Sequence, residues 1–264
     1  MDLDKKYYEN DKLWKPSAFD DLEHARIEIT SRMIPEDVIS VVDVGCGNGL
    51  FLNYLSGRVS SESLKLLGVD TSESALKYVK TDKALGNISK LPFESKSWDL
   101  VSALEIIEHL SVDEYEAGLR ELARVSRKYI LISVPYDQTL EDAFRECPLC
   151  KTRFNSAHHK RSFDESAMKA LFSDEGFENT KLMRFGKDPE LIFIGKLYRI
   201  YRKFKPLPIK PLSPCPVCGY YKVGTGLIKK KSWYKNFASK MRVYWPKRYK
   251  SRWIIALYTR RDEI

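Results

Sequence analysis

The sequence has no uncharged apolar run of eighteen residues, so it predicts no membrane-spanning helix. Its opening, MDLDKKYYEN, lacks the basic and apolar regions of a secretory signal, which points to a cytoplasmic protein. No internal repeat and no low-complexity tract is present. Cysteine is scarce, five in 264 residues, and four of the five form the pairs Cys147/Cys150 and Cys215/Cys218. In a reducing compartment such spacing means metal or redox chemistry rather than structural disulfides. Acidic residues nearly vanish near the end: from Leu191 onward there are 2 Asp/Glu against 19 Lys/Arg, a net of +17. Residues 1–190 carry 34 against 26, a net of −8. An acidic body with a strongly basic C-terminal region suggests an anionic partner.

What is present is a chain long enough for one large domain, or one domain with an elaboration. Leu22, Ala25, Ile29 and Met33 recur at helical spacing, predicting a helix over residues 20–33. VISVVDVG, LKLLGVD, SWDLVSAL and KYILISVP read as buried strands, each followed by a helical or loop segment. SESALKYVK reads as a helix capped by Ser72, VDEYEAGLRELARV as another, and FDESAMKALFSDEGF as a third closed by Gly176. NTKLMRF and, after a long interruption, RWIIALYTRR read as strands. Strands alternating with helices imply an α/β fold with a parallel sheet covered on both faces. The expected divisions are an N-terminal helical segment or lid (1–37), a core (38–186), a basic insertion (187–250) and a last core strand (251–264).

Within VVDVGCGNGLFLNYL, three glycines fall in five residues between a strand and a helix. Gly45, Gly47 and Gly49 permit positive φ and close approach of a ligand to the backbone. The following helix start would offer N–H groups to a polar or negative group. Asp70 ends the next strand, 21 residues after Gly49. A carboxylate there can accept both hydroxyls of a ribose. The spacing argues against a dinucleotide, because Leu50 and Phe51 stand where the dinucleotide motif needs a small residue. The G-K-[ST] end of a phosphate loop is missing too. Asp43, two residues before the first glycine, points to a cationic or amine-bearing ligand rather than a diphosphate.

Asp43 to Gly49, Asp70, LPFESKSWDLV and EIIEHL follow one another in order. Together they resemble the class I S-adenosylmethionine-dependent methyltransferases, of the type 11-like kind, over roughly residues 38–185. The resemblance implies a Rossmann-like seven-stranded sheet whose last strand, here WIIALYTR, is antiparallel. It implies S-adenosylmethionine as cofactor. Asp43, Gly45, Gly47 and Gly49 would face its methionine end, Asp70 its ribose with Thr71 beside it, and Asn87 and Ile88 its adenine. The family commonly has Asp at the position of Asn87; Asn can still accept from the adenine amine through its carbonyl. Glu105 would line the site after the fourth strand. Cys46 reads as a small buried residue.

Methyl transfer from a sulfonium is an in-line displacement that depends on positioning. A base matters when the acceptor is a hydroxyl. Glu105, Glu108 and His109 in EIIEHL, and His158 and His159 in SAHHKRSF, are the candidates, with Glu105, His109 and His159 put first. His159, Arg161 and Phe163 match an H-x-R-x-F pattern seen near the acceptor pocket of small-molecule and glycan methyltransferases; the alternative is that His159 merely packs a helix start. Glu105, Glu108 and His109 also resemble the divalent-cation set of small-RNA 2′-O-methyltransferases, for which Mg would suit the hard ligands. The same residues shape the cofactor pocket in relatives that need no metal.

CPLC and CPVCG are two turns built alike, and together they offer four thiolates, the closed tetrahedral set of structural zinc. A redox pair is the competing reading. The gap between Cys150 and Cys215 requires the fold to bring the two loops together. KKKSWYKNFASKMRVYWPKRYKSRW interleaves cations and aromatics. It suits an anionic membrane surface, RNA, or a solvated lid packed by its aromatics. The sequence thus predicts a methyltransferase, cytoplasmic or peripheral at the membrane, acting on a hydroxyl of a sugar, a lipid-linked glycan or a small metabolite. The alternatives are metal-assisted RNA methylation and a non-catalytic zinc-dependent binding protein.

Overall fold

The computed structural model describes residues 8–9, 11–15, 21–58, 64–191, 215–220 and 247–263. Most of the basic, aromatic stretch, residues 192–214 and 221–246, lies outside the described residues. The chain forms two compact units. The first takes residues 1–138, 160–186 and 252–264, the second residues 139–159 and 187–251. The second unit thus begins earlier in the chain than the expected insertion, because residues 139–159 contribute to it.

The first unit is built on a seven-stranded sheet. Its strands are β1 (Ser40–Val44), β2 (Lys65–Asp70), β3 (Asp82–Leu85), β4 (Trp98–Leu104) and β5 (Ser126–Pro135), joined by β8 (Phe177–Phe185) and β11 (Trp253–Arg260). Their order is β3-β2-β1-β4-β5-β11-β8. β1 to β5 pair in parallel, and β11 lies antiparallel to both β5 and β8. The antiparallel last strand expected from WIIALYTR therefore falls on those eight residues. β3 carries Asp82 and Lys83 in a short, largely exposed strand, which is why no apolar pattern marks it; charge on such an edge discourages pairing with other chains.

Side chains alternate across the sheet because successive residues of a strand point to opposite faces. Val42, Val44, Ile130, Ile132, Ile254, Ala256 and Tyr258 enter one core with Leu122 and Met168. Those two residues come from helices α4 (Val112–Val125) and α5 (Glu165–Ala170). Val41, Leu131, Ile255 and Leu257 enter the other core with Ile27, Phe51, Leu52 and Leu76. These belong to helices α1 (Asp21–Ser31), α2 (Leu50–Ser56) and α3 (Glu73–Leu76). Burial on both faces explains the near-continuous apolar runs of the central strands.

Two helices show how side chains set boundaries. α4 begins with a capping box: Ser111 accepts from the Glu114 N–H while the Glu114 carboxylate accepts from the Ser111 N–H. α3 stops at Leu76, short of the expected SESALKYVK helix. Asn53 takes the backbone there, donating to the Tyr78 carbonyl at 3.0 Å and accepting from the Lys80 N–H at 2.8 Å. Side-chain bonds of this kind compete with helix continuation.

The second unit, among its described residues, contains the hairpin β6 (Phe144–Glu146) with β7 (Arg153–Asn155) and the antiparallel pair β9 (Asp188–Leu191) with β10 (Lys247–Lys250). Cys147, Phe154 and Cys215 form its small buried cluster.

Arg260 closes the first unit by donating to the carbonyls of Ala123, Ser126 and Arg127 at 2.7, 2.6 and 3.0 Å, at the junction of α4 and β5. Arg260→Ala should lower unfolding free energy by about 1–3 kcal/mol. The measurement is the urea midpoint, with ligand affinity expected to be unchanged because the residue lies at the amino ends of the parallel strands.

Candidate cofactor and acceptor site

The carboxyl ends of β1, β2 and β4 bring the sequence-predicted residues together. The turn after β1 is held against β2 by the N–H groups of Gly45 and Cys46, which donate to the Val69 carbonyl at 2.7 and 3.0 Å. Gly45, Gly47 and Gly49 have φ of 72°, 54° and 72°. At Gly49 the need is twofold, since an added Cβ would also stand 3.1 Å from the Val79 backbone. Cys46 is buried, and burial pushes its thiol well up, so it serves as packing rather than as a nucleophile.

Asp70 ends β2 with its carboxylate turned back to the turn. It accepts from the Gly47 N–H at 2.8 Å and the Ser72 N–H at 2.9 Å. Each carboxylate oxygen retains acceptor capacity for a hydroxyl. Thr71 follows it at the surface. Asp43 is buried on β1, and Ser102 donates to it at 2.6 Å. Burial, with the nearby charge of Asp70, raises its carboxyl to about 7 against the opposing pull of Ser102 and Arg26. Asn87 accepts from the Ser89 N–H at 2.8 Å, so its carbonyl oxygen has only its second lone pair for an adenine amine. The Ile88 side chain is buried against Gly118 of α4.

Glu105, directly after β4, is held at φ 59°, a strained conformation for a non-glycine residue. Ser133 donates to one carboxylate oxygen at 2.6 Å and the Trp253 indole N–H to the other at 2.9 Å. Arg26 of α1 stands 3.8 Å away. Burial still raises the Glu105 carboxyl above its ordinary value. Each Glu105 oxygen thus already accepts one hydrogen bond, with a guanidinium close by, and nothing in these contacts supports the magnesium expectation. Glu108 differs sharply. It is 1% exposed, and neither carboxylate oxygen has a hydrogen-bond partner among the described residues. Burial and the charge of Glu105 push its carboxyl well up. His109 Nε2 lies 3.7 Å from Glu108.

Arg161 and Phe163 of the H-x-R-x-F pattern are engaged by the loop after β4 and by the core. Arg161 donates to the carbonyls of Ile107 and Leu110, both at 2.8 Å, and its guanidinium stacks on Tyr115 at 4.0 Å. Phe163 is buried in the core. His159 is the last residue of the second unit's first segment, and burial beside His158 holds its imidazole down to about 4. Sequence reasoning missed Arg26, Ser102, Ser133 and Trp253. Each is an ordinary helix or strand residue, and no local pattern links them to the motif they support.

In the second unit, the sulfurs of Cys147, Cys150, Cys215 and Cys218 all lie within 4.8 Å of one another, with Cys147–Cys218 and Cys150–Cys215 at 3.5 Å. These distances are far longer than a disulfide and near the roughly 3.8 Å edge of a tetrahedron with Zn–S bonds of about 2.3 Å. The two turns match in detail. Cys147 N–H donates to the Thr152 carbonyl and Lys151 N–H to the Cys147 carbonyl; Cys215 with Tyr220, and Gly219 with Cys215, repeat both bonds. Lys151 and Gly219 occupy the same left-handed position, φ 61° and 69°. The donor set fits a closed four-thiolate metal site.

Residues 42–130 match the methyltransferase domain family. That stretch contains the glycine turn, Asp70, Asn87, Ile88, Glu105, Glu108 and His109, and stops before both cysteine pairs. A Mycobacterium tuberculosis protein named a probable S-adenosylmethionine-dependent methyltransferase is 25% identical over 158 residues, 57% of this chain and 53% of its own. An uncharacterized protein of Methanocaldococcus jannaschii is 24% identical over 179 residues, 61% and 74% of the two chains. The chain thus spans about half the length of the mycobacterial relative. A SAM-dependent methyltransferase structure from Archaeoglobus fulgidus is similar with a TM-score of 0.57 at 16% identity, over 94% of this chain and 97% of that one. The magnesium protoporphyrin IX methyltransferase of Synechocystis PCC 6803, with bound SAH, gives 0.54 at 14% identity over 70% and 92%. The first unit has the Rossmann-like fold of class I methyltransferases. No helix among the described residues is long and apolar enough to cross a membrane.

Asp43 of the first unit sets a pH dependence. With its carboxyl near 7 when folded and 3.8 when free, the folded chain retains a proton that the unfolded chain loses. Stability should therefore fall as pH rises from about 4 through about 7. Asp43→Asn should flatten that slope and raise the thermal midpoint at pH 8, the penalty removed being about 4 kcal/mol at most. Thermal melts of both proteins between pH 4 and 8 check this.

Proposed function

We propose that the protein transfers a methyl group from S-adenosylmethionine to a hydroxyl of a sugar, a lipid-linked glycan or a small metabolite. One observation carries the reading: the left-handed glycine turn lies between a buried Asp43 and an Asp70 that accepts from the turn's Gly47 N–H. The cofactor supplies an electrophilic methyl on a sulfonium that leaves as a neutral thioether. Asp43 and the glycine turn hold its amino-acid end, and Asp70 accepts from the ribose hydroxyls. Glu105, pinned from three sides, fixes the loop that follows β4. His109, on that loop, is the group that takes a hydroxyl proton in this reading. The basic C-terminal region supports an anionic membrane surface as the place where the acceptor is met.

The four cysteines hold one structural zinc ion in this reading. Four thiolates complete its coordination, leaving no open position for catalysis.

The acceptor class is tested with methyl-labelled cofactor and a host lysate separated into RNA, protein, lipid with polysaccharide, and small molecules. Label is expected in the lipid–polysaccharide or small-molecule fraction. Label confined to RNA or protein sinks the proposed acceptor. The metal is tested by elemental analysis of protein purified without added metal. One zinc per chain is expected, falling by at least half in the Cys150→Ser, Cys218→Ser double variant. Metal-free protein with four freely titrating thiols in the second unit would refute the zinc assignment.

A further inference from the structure

In S-adenosylmethionine the positive charge sits on a sulfur bonded both to the methionine chain and to the ribose C5′ carbon. The cofactor reading above, on which this inference rests, puts the methionine end at residues 43–49 and the ribose at Asp70. The sulfur must then lie between the two.

The segment from Tyr8 to Lys15 bridges the same two places. At one end the Ser72 hydroxyl, two residues beyond Asp70, donates to the Tyr8 carbonyl at 2.9 Å. Next to it, the Glu9 carboxylate accepts from the N–H groups of Glu73 and Ser74 at 3.1 and 3.2 Å, and Tyr78 donates to Asp11 at 2.9 Å. At the other end the Asn48 amide, inside the glycine turn, donates to the Trp14 carbonyl at 3.0 Å. The Trp14 indole N–H closes the segment on itself by donating to the Tyr8 carbonyl. The segment is thus tied to both halves of the site by side chains that the glycine motif itself does not explain.

These ties set the rings. Trp14 rests on Gly47, where an added Cβ would stand 2.7 Å from the ring carbon Cζ3. The Tyr8 ring centre is 6.3 Å from that of Trp14, with the planes tilted by 30°. It is 6.5 Å from the His109 ring, at 86°. Tyr8 therefore stands between the ring on the glycine turn and the ring on the loop after β4.

We propose that Tyr8 and Trp14 form an aromatic wall that recognises the sulfonium charge and makes the site favour S-adenosylmethionine over its demethylated product. The face of an aromatic ring attracts a cation, more strongly where water is displaced. S-Adenosylhomocysteine is a neutral thioether at that sulfur and gains nothing from the wall. Asp43 does not provide this discrimination in the same way, because the ammonium group near which it would lie is common to both molecules. Loss of the charge on transfer weakens the hold on the product.

The test is calorimetric titration of the full chain with S-adenosylmethionine and with S-adenosylhomocysteine, with no turnover involved. Tyr8→Leu and Trp14→Leu should each weaken binding of the sulfonium about fivefold more than binding of the thioether. Tyr8→Phe, which keeps the ring face, should keep the wild-type ratio. Thermal melts of each variant establish that it is folded. Equal losses for both ligands in folded variants would overturn the wall while leaving the cofactor reading intact. A wild-type protein that binds neither ligand overturns both.

Discussion

The half-buried carboxylate of Glu105 is the constraint on which the first unit depends. An ionised group taken out of water costs several kcal/mol unless donors replace the lost solvent. Here the donors come from Ser133 on β5, Trp253 at the start of β11 and, at longer range, Arg26 on α1. One side chain therefore fixes the docking of the N-terminal helix, the entry of the last strand and the backbone reversal after β4. Trp253 is itself gripped, stacked on Phe185 with an interplanar angle of 8° and covered by the Arg252 guanidinium. Because the loop after β4 is so held, and Arg161 fastens its other end, Glu108 stays buried with no hydrogen-bond partner for its carboxylate oxygens among the described residues.

A division of labour among acidic residues follows. Asp43, Asp70, Glu105 and Glu108 lie at the carboxyl ends of adjoining strands, yet each has a different environment. Asp70 accepts from backbone N–H groups, Glu105 from side chains, Asp43 from one hydroxyl, and Glu108 from none among the described residues. Separated environments are how neighbouring carboxyls take distinct protonation states and so distinct roles. Asp43 carries the clearest trade-off, since the burial that destabilises its charge also strengthens its attraction for a cationic ligand.

The second unit solves a different problem. Its described apolar core is a small cluster around Cys147, Phe154 and Cys215, with Tyr220 against it. A metal cross-link beside such a cluster reinforces it. Two turns that repeat each other's backbone bonds, with their four sulfurs converging, provide the geometry for one.

The sequence alone determined the order of elements, because the apolar runs around Val41, Leu66, Leu100 and Ile130 are dictated by burial on both sheet faces. It determined the glycine turn, where positive φ admits few other residues, and the likeness of the two cysteine turns, where equal spacing produces equal backbone geometry; their convergence came from the fold. It did not mark β3, whose polar edge lacks a periodic signal, or the early end of α3, set by Asn53 from another helix. It did not show that Arg161 holds the loop after β4, whose carbonyls lie some fifty residues earlier in the chain. The tertiary structure alone decided the partners of Glu105 and the meeting of Tyr8 with Trp14 over the glycine turn. Those contacts join residues separated by up to 148 positions, and nothing in the local periodicity of a chain records which distant side chain will satisfy a buried charge.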